Sequence, residues 1–365
     1  MATTRLGVLN GLRGIALLAV VHHHLLSPLF PIGWATVDLG AAAMSVGAPL
    51  SHGYVGVHLF FVLSGFVLYL PYADGRRAMA TRADLIGFYR RRAARLLPLY
   101  YVCLAVTLAL VAPPPPTAAG LGDALLLGTF TFPFTTSMWS PPQNWVLWSL
   151  GVEVWLSVLF PLLLVAAARI GVVRLTAVAV AVALATRLLG HGRAAFDVGN
   201  PYLDALSDSV LGRLDDFVLG MAALAWWRRR PDGSAAAPLA AGAALVWLAT
   251  AARDEILLGA WPQAAWPLTH LGFAAGFALI VVGALRARGA VRRLLAAPPL
   301  QVIGMMCYSL YVWHDLVIRH VVGGQLDAGH LALGAALLSA LAALTYRYVE
   351  FRAEPSWRAL VRPAP

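Results

Sequence analysis

The sequence is poor in charged residues and in cysteine. Only 12% of its 365 residues are charged and 60% are hydrophobic, whereas about a quarter of a soluble domain is charged. So few charges cannot cover a water-soluble surface of this size, which excludes a soluble globular protein and predicts a polytopic membrane protein. The two cysteines, Cys103 and Cys307, lie in apolar segments. We therefore expect buried packing residues rather than a disulfide or metal framework.

Lysine is absent, so all 27 basic residues are arginines. The formal net charge of +10 suggests a nucleic-acid partner, but the arginines occur in blocks between apolar segments, as the positive-inside rule describes. With a cytoplasmic N-terminus, few arginines fall outside. These are Arg187, Arg193, Arg213, Arg253 and Arg319. The sequence therefore predicts cytoplasmic N- and C-termini and no nucleic-acid partner.

Apolar runs of about 20 residues predict an all-α, polytopic membrane bundle of about ten transmembrane helices. We expect residues 1–365 to form one domain. The predicted spans are 6–26, 54–72, 96–111, 145–168, 172–189, 214–227, 238–252, 268–285, 299–322 and 331–348. The stretch 121–134 is apolar but too short for another span. Arg13 interrupts the first apolar run and no small-residue cleavage site follows, so we expect a retained span rather than a signal peptide.

Arg13 and His24 lie eleven positions apart on the first predicted span, which is about 16 Å of helix. At 100° per residue, the two side chains return to nearly the same face. Ionisable groups within a membrane are costly and usually serve a function. The sequence therefore predicts a cation and a titratable imidazole along one line through the bilayer.

Further polar residues are predicted at a similar depth as His24, which lies near the outer end of its span. Glu153 and Ser64 lie on inward-running spans, about 13 and 15 Å below the outer ends, at 1.5 Å per residue. His314 lies about 21 Å up an outward-running span. These four side chains are predicted to meet in the middle-to-outer half of the membrane, with Arg13 nearer the cytoplasm.

Each of these residues also has a structural explanation. The histidines 22–24 look like a metal tripod, but consecutive helix positions point 100° apart, so no metal site is predicted. Glu153 could pair with a buried arginine, and Ser64 beside Gly65 could serve helix packing. Further alternatives are a lipid-interface or packing role for His58, interface positions for Tyr308, Tyr311 and Trp313, and a histidine or arginine partner for Asp315.

A cluster of arginines precedes the third predicted span. Positive-inside residues need no ligand, but Arg92 and Arg95 share one helical face at i and i+3. Two guanidinium groups there would suit phosphate, from a ligand or from lipid headgroups.

Five stretches, in order along the chain, resemble the motifs of the acyltransferase-3 family of bacterial membrane O-acyltransferases, which modify glycans, sugars and some antibiotics. They are residues 9–16 together with His24, 56–66, 88–100, 148–153 and 308–314. Family members often continue past the last helix with a glutamate followed soon by proline, whereas here Glu350-Phe351-Arg352 leads to Glu354-Pro355, which is a departure from the pattern. No fused extracytoplasmic domain is recognisable, which favours a small hydroxylated acceptor over a long polymer.

The resemblance implies an acyltransferase in the bacterial plasma membrane with acyl-CoA as co-substrate and no permanently bound cofactor. We expect Arg92 and Arg95 to bind the nucleotide phosphates and the pantetheine arm to pass Arg13. His24 would then act as general base on an acceptor hydroxyl of a sugar, glycan or secondary metabolite. Glu153 would orient or charge-balance His24, directly or through His314.

The predicted substrate pocket contains Ser64, Trp148, Tyr311 and His314. Direct transfer needs no cysteine nucleophile, although a transient acyl-imidazole is a second route. The main alternative function is a membrane transporter or flippase, against which the sequence shows no inverted repeat and no paired broken helices.

Overall fold

The structure is a computed structural model that describes residues 2–38, 43–111, 115, 117–193 and 205–351. Its described part is almost entirely helical, because a helix pairs its own backbone N–H and C=O groups where lipid offers no partner. The helices are α1 (Ala2–Leu26), α2 (Ala48–Ser51), α3 (Gly56–Ala73), α4 (Arg82–Val106), α5 (Ala118–Gly128), α6 (Leu147–Ile170), α7 (Val172–Arg193), α8 (Leu214–Arg229), α9 (Ala236–Leu257), α10 (Trp266–Arg286), α11 (Gly289–Leu295), α12 (Pro298–Met305), α13 (Cys307–Val317) and α14 (Ala328–Thr345).

Short segments extend or connect these helices. The 3-10 segments are Ser27–Leu29, Gly53–Val55, Phe132–Phe134 and Gln263–Ala265, and the π segments are Thr107–Val111, Ile318–Val322 and Tyr346–Glu350. In the described ranges, the strands are β1 (Thr36–Asp38) and β2 (Ala43–Ser45), which pair antiparallel with Thr36 opposite Ser45.

Eight helical segments of the described chain are long and apolar enough to cross a membrane. They are Gly7–Leu29, Gly53–Ala73, Arg82–Ala109, Leu147–Ile170, Val172–His191, Ala236–Leu257, Gln263–Arg286 and Ala328–Glu350. The predicted class, a polytopic helical membrane protein, is confirmed.

The two other segments counted in the prediction of about ten are helical but differ in form. Helix α8 has only 16 residues, about 24 Å against a hydrocarbon core of about 30 Å. The predicted span 299–322 is divided between α12 and α13, with an interruption at Met306. Segment 121–134 forms the short helix α5 and a 3-10 turn, as its length indicated.

Helices α3 and α8 approach each other through glycine. A Cβ atom on Gly65 would overlap the carbonyl oxygen of Phe217, and one on Gly220 would overlap that of Val62. Small residues allow helix backbones to come this close. Arg213, just before α8, contacts His58 near the start of α3, so the charged start of α8 lies beside the start of α3.

Candidate functional site

All predicted site residues except His314 line one of two cavities inside the bundle. Cavity A contains about 800 Å³ of empty space, and its lining includes Arg13, Ser64, Arg92, Arg95, Glu153 and Tyr311. Cavity B contains about 1060 Å³, and its lining includes His24, Trp148 and Tyr311. The predicted line from Arg13 to His24 is therefore divided between two spaces.

The two cavities share a wall made of Val57 and Tyr311, which line both. The hydroxyl group of Tyr311 lies 2.7 Å from Ser149 Oγ. Its ring packs edge-on against Phe60, with centroids 5.7 Å apart. Tyr311 is buried rather than placed at a lipid interface. A substrate passing from one cavity to the other would have to pass these two side chains.

Glu153, which lines cavity A, forms an ion pair with Arg92. Arg92 donates hydrogen bonds to the Glu153 carboxylate and, through Nε at 3.0 Å, to Ser157 Oγ. Ser64 Oγ donates to Glu153 Oε1 at 2.6 Å. Glu153 therefore pairs with an arginine, as its structural explanation proposed, but Arg92 is partly exposed rather than buried. The packing role falls to Gly65, while its neighbour Ser64 is part of this polar group.

Arg95 also contacts a carboxylate. It forms an ion pair with Glu350, which accepts a second hydrogen bond from Ser309. The Arg95 guanidinium lies 5.0 Å from the ring centroid of Phe351. Sequence analysis treated Glu350 only as a departure from the family pattern, because its partner lies 255 positions away.

Arg13 is held differently from Arg92 and Arg95. Among the described residues, no carboxylate oxygen lies within 4.0 Å of its guanidinium, and its nearest described polar contact is Asn10 Oδ1 at 3.5 Å. Cys307 also lines cavity A and is only partly buried, so the expectation of a buried packing residue is confirmed for Cys103 and wrong for Cys307. Arg13 is thus a cation of cavity A that retains donors for a ligand.

His24 lies in the wall of cavity B with its side chain 23% exposed. Its Nδ1 is 3.9 Å from Asp315 Oδ1, and its ring packs edge-on against His314 with centroids 5.1 Å apart. The carboxylate beside His24 is therefore that of Asp315, and the expected contact with Glu153 has to be corrected. Glu153 lies in cavity A because it is bound to Arg92 on α4.

His314 packs against the ring of His24 and is itself buried. Its Nδ1–H donates to the carbonyl oxygen of Tyr311 at 2.6 Å, and its Nε2 is buried with no hydrogen-bond partner among the described residues. Asp315 is fixed by Arg319 at 2.6 Å and by the backbone N–H of Trp145 at 3.2 Å. The expectation that Asp315 has a histidine or arginine partner is confirmed for both kinds.

The histidines 22–24 diverge, as helix geometry requires. His22 donates to the carbonyl oxygen of Leu50 and His23 to that of Ser51, each at 3.1 Å, whereas His24 faces Asp315. No group of three His, Cys, Asp or Glu side chains within the described ranges is arranged to hold a metal ion.

A buried polar network, which the sequence patterns above did not predict, lies next to cavity B. His58 Nδ1 lies 2.8 Å from Asp216 Oδ1, and Arg187 binds Asp215 through two hydrogen bonds of 2.8 and 2.6 Å. His58 is thus an ion-network residue rather than a lipid-interface one. The signal was present in the sequence, because two adjacent aspartates in a predicted span are costly unless paired.

Arg213 and Arg253, which charge counting placed in outside loops or at outer ends, are both buried and line cavity B. Arg213 pairs with Asp208 and lies 3.5 Å from Asp216 Oδ2. Both arginines are buried because other parts of the chain pack around them, and a count of charges along the sequence does not contain that information.

The sequence matches one protein-family model and several characterised bacterial proteins. The acyltransferase-3 family model, described as an acyltransferase domain, matches residues 6–346. The O-acetyltransferase OatA of Staphylococcus aureus (strain NCTC 8325 / PS 47) is 24% identical over 369 residues, which cover 94% of this chain and 56% of OatA. The exopolysaccharide production protein ExoZ of Rhizobium meliloti (strain 1021) is 29% identical over 296 residues, covering 79% of this chain and 84% of ExoZ. The chain thus spans little more than half the length of OatA, and no solved structure is a significant match.

Proposed function

This chain belongs to the acyltransferase-3 family, and we propose that it transfers a short acyl group from acyl-CoA to a hydroxyl group of a sugar, a glycan or a secondary metabolite. The observation that carries the proposal is the shared wall of Val57 and Tyr311 between an arginine-lined cavity and one that contains His24. The similarity to OatA, an O-acetyltransferase, and to ExoZ, an exopolysaccharide production protein, supports an acetyl group and a glycan acceptor.

Cavity A is the proposed donor site. Arg13, Arg92 and Arg95 supply three guanidinium groups, whose planar geometry suits bidentate contact with phosphate. Arg92 and Arg95 would exchange their contacts with Glu153 and Glu350 for donor phosphate oxygens. Arg13 has no carboxylate to release within the part of the chain that the structure describes. Its position on the same helix as His24 suits contact with the pantetheine arm.

Cavity B is the proposed site of transfer. The thioester reaches it past Val57 and Tyr311, and neutral His24 takes the proton of the acceptor hydroxyl as the oxygen attacks the thioester carbonyl. The carbon–sulfur bond then breaks, and the proton passes from His24 to the departing thiolate of coenzyme A. Asp315 stabilises the transient imidazolium, and His314 positions the ring. An acyl-imidazole on His24 is the alternative route to the same products.

The decisive experiment is an assay of the detergent-purified protein with radiolabelled acetyl-CoA and hydroxylated acceptors. We expect acyl transfer, and an increase of about tenfold in the donor KM for Arg92→Ala, since charged hydrogen bonds contribute about 1.5–3 kcal/mol. Arg169→Ala removes an exposed arginine outside both cavities and serves as the matched control. An unchanged KM in Arg92→Ala would leave Arg92 with a structural role only, and absence of both transfer and hydrolysis would contradict the function.

The alternative, a transporter or flippase, is favoured by the interruption at Met306, because broken helices often line transport pathways. Substrate movement across vesicles containing the purified protein, without acyl transfer, would support it. We place the protein in the bacterial plasma membrane with both termini in the cytoplasm, which reporter fusions at each terminus would test.

A further inference from the structure

Arg253, on α9 in the wall of cavity B, is a buried cation held mainly by aromatic rings and neutral groups. Its side chain is 3% exposed, and its guanidinium carbon lies 4.2 Å from the ring centroid of Trp266 and 5.0 Å from that of Phe273. Nε donates to Thr269 Oγ1 at 2.8 Å, and Nη1 donates to the hydroxyl of Tyr54. Nη2 is buried with no hydrogen-bond partner in the described part of the chain.

Among the described residues, the other buried arginines have carboxylate partners in contact, whereas Arg253 has none. Arg187 pairs with Asp215, and Arg213 pairs with both Asp208 and Asp216. No carboxylate oxygen of a described residue lies within 4.0 Å of the Arg253 guanidinium. Its neighbour Asp254 is turned away and lies 2.6 Å from His52. Asp208 also lines cavity B and attracts Arg253 at longer range, but it is paired directly with Arg213. A buried cation with no carboxylate in contact among the described residues is costly, which points to an anion from outside the chain.

A second side chain of cavity B has unused polar atoms. His270 is 3% exposed, and neither of its ring nitrogens has a hydrogen-bond partner among the described residues. Its ring lies 5.4 Å from that of His58. A neutral imidazole always carries one N–H, so His270 can donate to an oxygen bound nearby.

We propose that Arg253 and His270 bind a carboxylate or phosphate group of the acceptor, so that the acceptor is an anionic hydroxylated compound. This inference rests on the proposed function, because His24 lines the same cavity and would receive the hydroxyl of an acceptor anchored at Arg253. Trp139 and Trp148 also line cavity B and offer flat apolar faces to a sugar ring. Guanidinium recognises both kinds of oxyanion, and the experiment separates them.

The test measures binding of three sugars to the purified full-length protein by intrinsic tryptophan fluorescence, with isothermal titration calorimetry as confirmation. Glucose is the neutral probe, glucuronate carries a carboxylate, and glucose 6-phosphate carries a phosphate. We expect one of the two anionic sugars to bind at least about tenfold more tightly than glucose, as a charge-assisted hydrogen bond predicts. Whichever anion is preferred identifies the group recognised.

Arg253→Gln should bring the ratio of anionic to neutral affinity close to one. Arg187→Gln is the matched control, since it removes an equally buried arginine that does not line cavity B, and it should keep the ratio. Gel filtration shows whether each variant folds. His270→Asn provides a second variant and should lower the ratio severalfold. Equal affinities for all three sugars, failure of both anions to bind, or a ratio unchanged in Arg253→Gln and His270→Asn would overturn the proposal.

Acyl transfer from acetyl-CoA, measured on the same samples, separates this inference from the proposed function. An Arg253-dependent preference for anions without any transfer would contradict the enzyme and support the anion site. Transfer to glucose with no anion preference in binding would support the enzyme and contradict the anion site.

Discussion

Cavities A and B both contain arginines, but they hold them in different ways. In cavity A, Arg92 and Arg95 each contact one carboxylate and stay partly exposed, at 19% and 34%. In cavity B, Arg213 and Arg253 are each 3% exposed. Partly exposed ion pairs contribute little and are easily exchanged, whereas a buried pair is costly to break. The difference fits the proposed exchange of a soluble donor in cavity A and the proposed recognition of an acceptor in cavity B.

His24→Ala would remove the proposed chemistry of cavity B while leaving cavity A intact. We expect kcat for acyl transfer to fall by about 10²–10⁴, the usual contribution of a general base. His22→Ala is the control, because His22 lies on the same helix and lines neither cavity. Purified His24→Ala that is folded and turns over normally would remove His24 from the mechanism.

Val57→Trp would place a larger side chain in the wall between cavities A and B. We expect transfer to fall about tenfold or more, because a larger side chain closes the path, while donor binding in cavity A persists. Overpacking itself costs about 1–3 kcal/mol, so thermal stability has to be measured in parallel. Val57→Ala makes this wall smaller and should retain transfer. Normal transfer by a stable Val57→Trp protein would show that the acyl group does not pass between the cavities here.

Asp315→Asn and Glu153→Gln test which carboxylate serves His24. We expect Asp315→Asn to lower kcat about tenfold, because the imidazolium of His24 loses a nearby negative charge, with little change in the donor KM. Glu153→Gln should instead lower the donor KM severalfold, since Arg92 loses its competing partner. Steady-state kinetics that show the reverse pattern would restore Glu153 as the partner of His24.

Asp327 lies outside both cavities and should affect stability alone. Its carboxylate accepts hydrogen bonds from the N–H groups of His330 at 3.1 Å and Gly329 at 2.9 Å at the start of α14. These contacts, that from the His330 amide above all, hold the pKa of Asp327 below its usual 3.8. The stabilisation is therefore present above the unfolded-state pKa and is lost as the pH falls through the folded-state value.

Asp327→Ala should thus melt slightly below the wild type at pH 7 with unchanged kcat, and the difference should shrink in acid. Asp327→Asn keeps an acceptor for the helix start and should lie between the two. A large loss of activity in Asp327→Ala would mean that this end of α14 communicates with the cavities.

Sequence reasoning located the helices and most cavity residues but assigned some partners wrongly. Composition and apolar runs predicted the helical membrane class, because burial in lipid constrains composition strongly. Depth counting placed Glu153 and His24 at similar heights, yet height along a helix does not determine which neighbour a side chain faces. The pair Arg92–Glu153 joins residues 61 positions apart, and Asp315 became the neighbour of His24 only through the packing of α13 against α1.

Cavity B was the harder region to predict. In the sequence, Arg213 and Arg253 look like arginines of outside loops. The positive-inside rule uses only their charge and position along the chain, so it assigned both to outside segments or helix ends. Arg213 depends on Asp208 in the turn that precedes it, and Arg253 depends on aromatic rings of another helix, such as that of Trp266. A search for ionisable residues inside short or irregular spans would have found Asp215 and Asp216 first.

The close approach of α3 and α8 affects how inactive mutants from a random screen should be interpreted. Gly65 and Gly220 tolerate no side chain, because each faces a carbonyl oxygen of the opposite backbone. Substitutions there would therefore abolish function because they push α3 and α8 apart, and not because they change a residue that contacts a substrate. The amount of protein in the membrane distinguishes the two classes of inactive mutant. It falls in mutants with disrupted helix packing and stays normal in mutants of residues that act on the substrate.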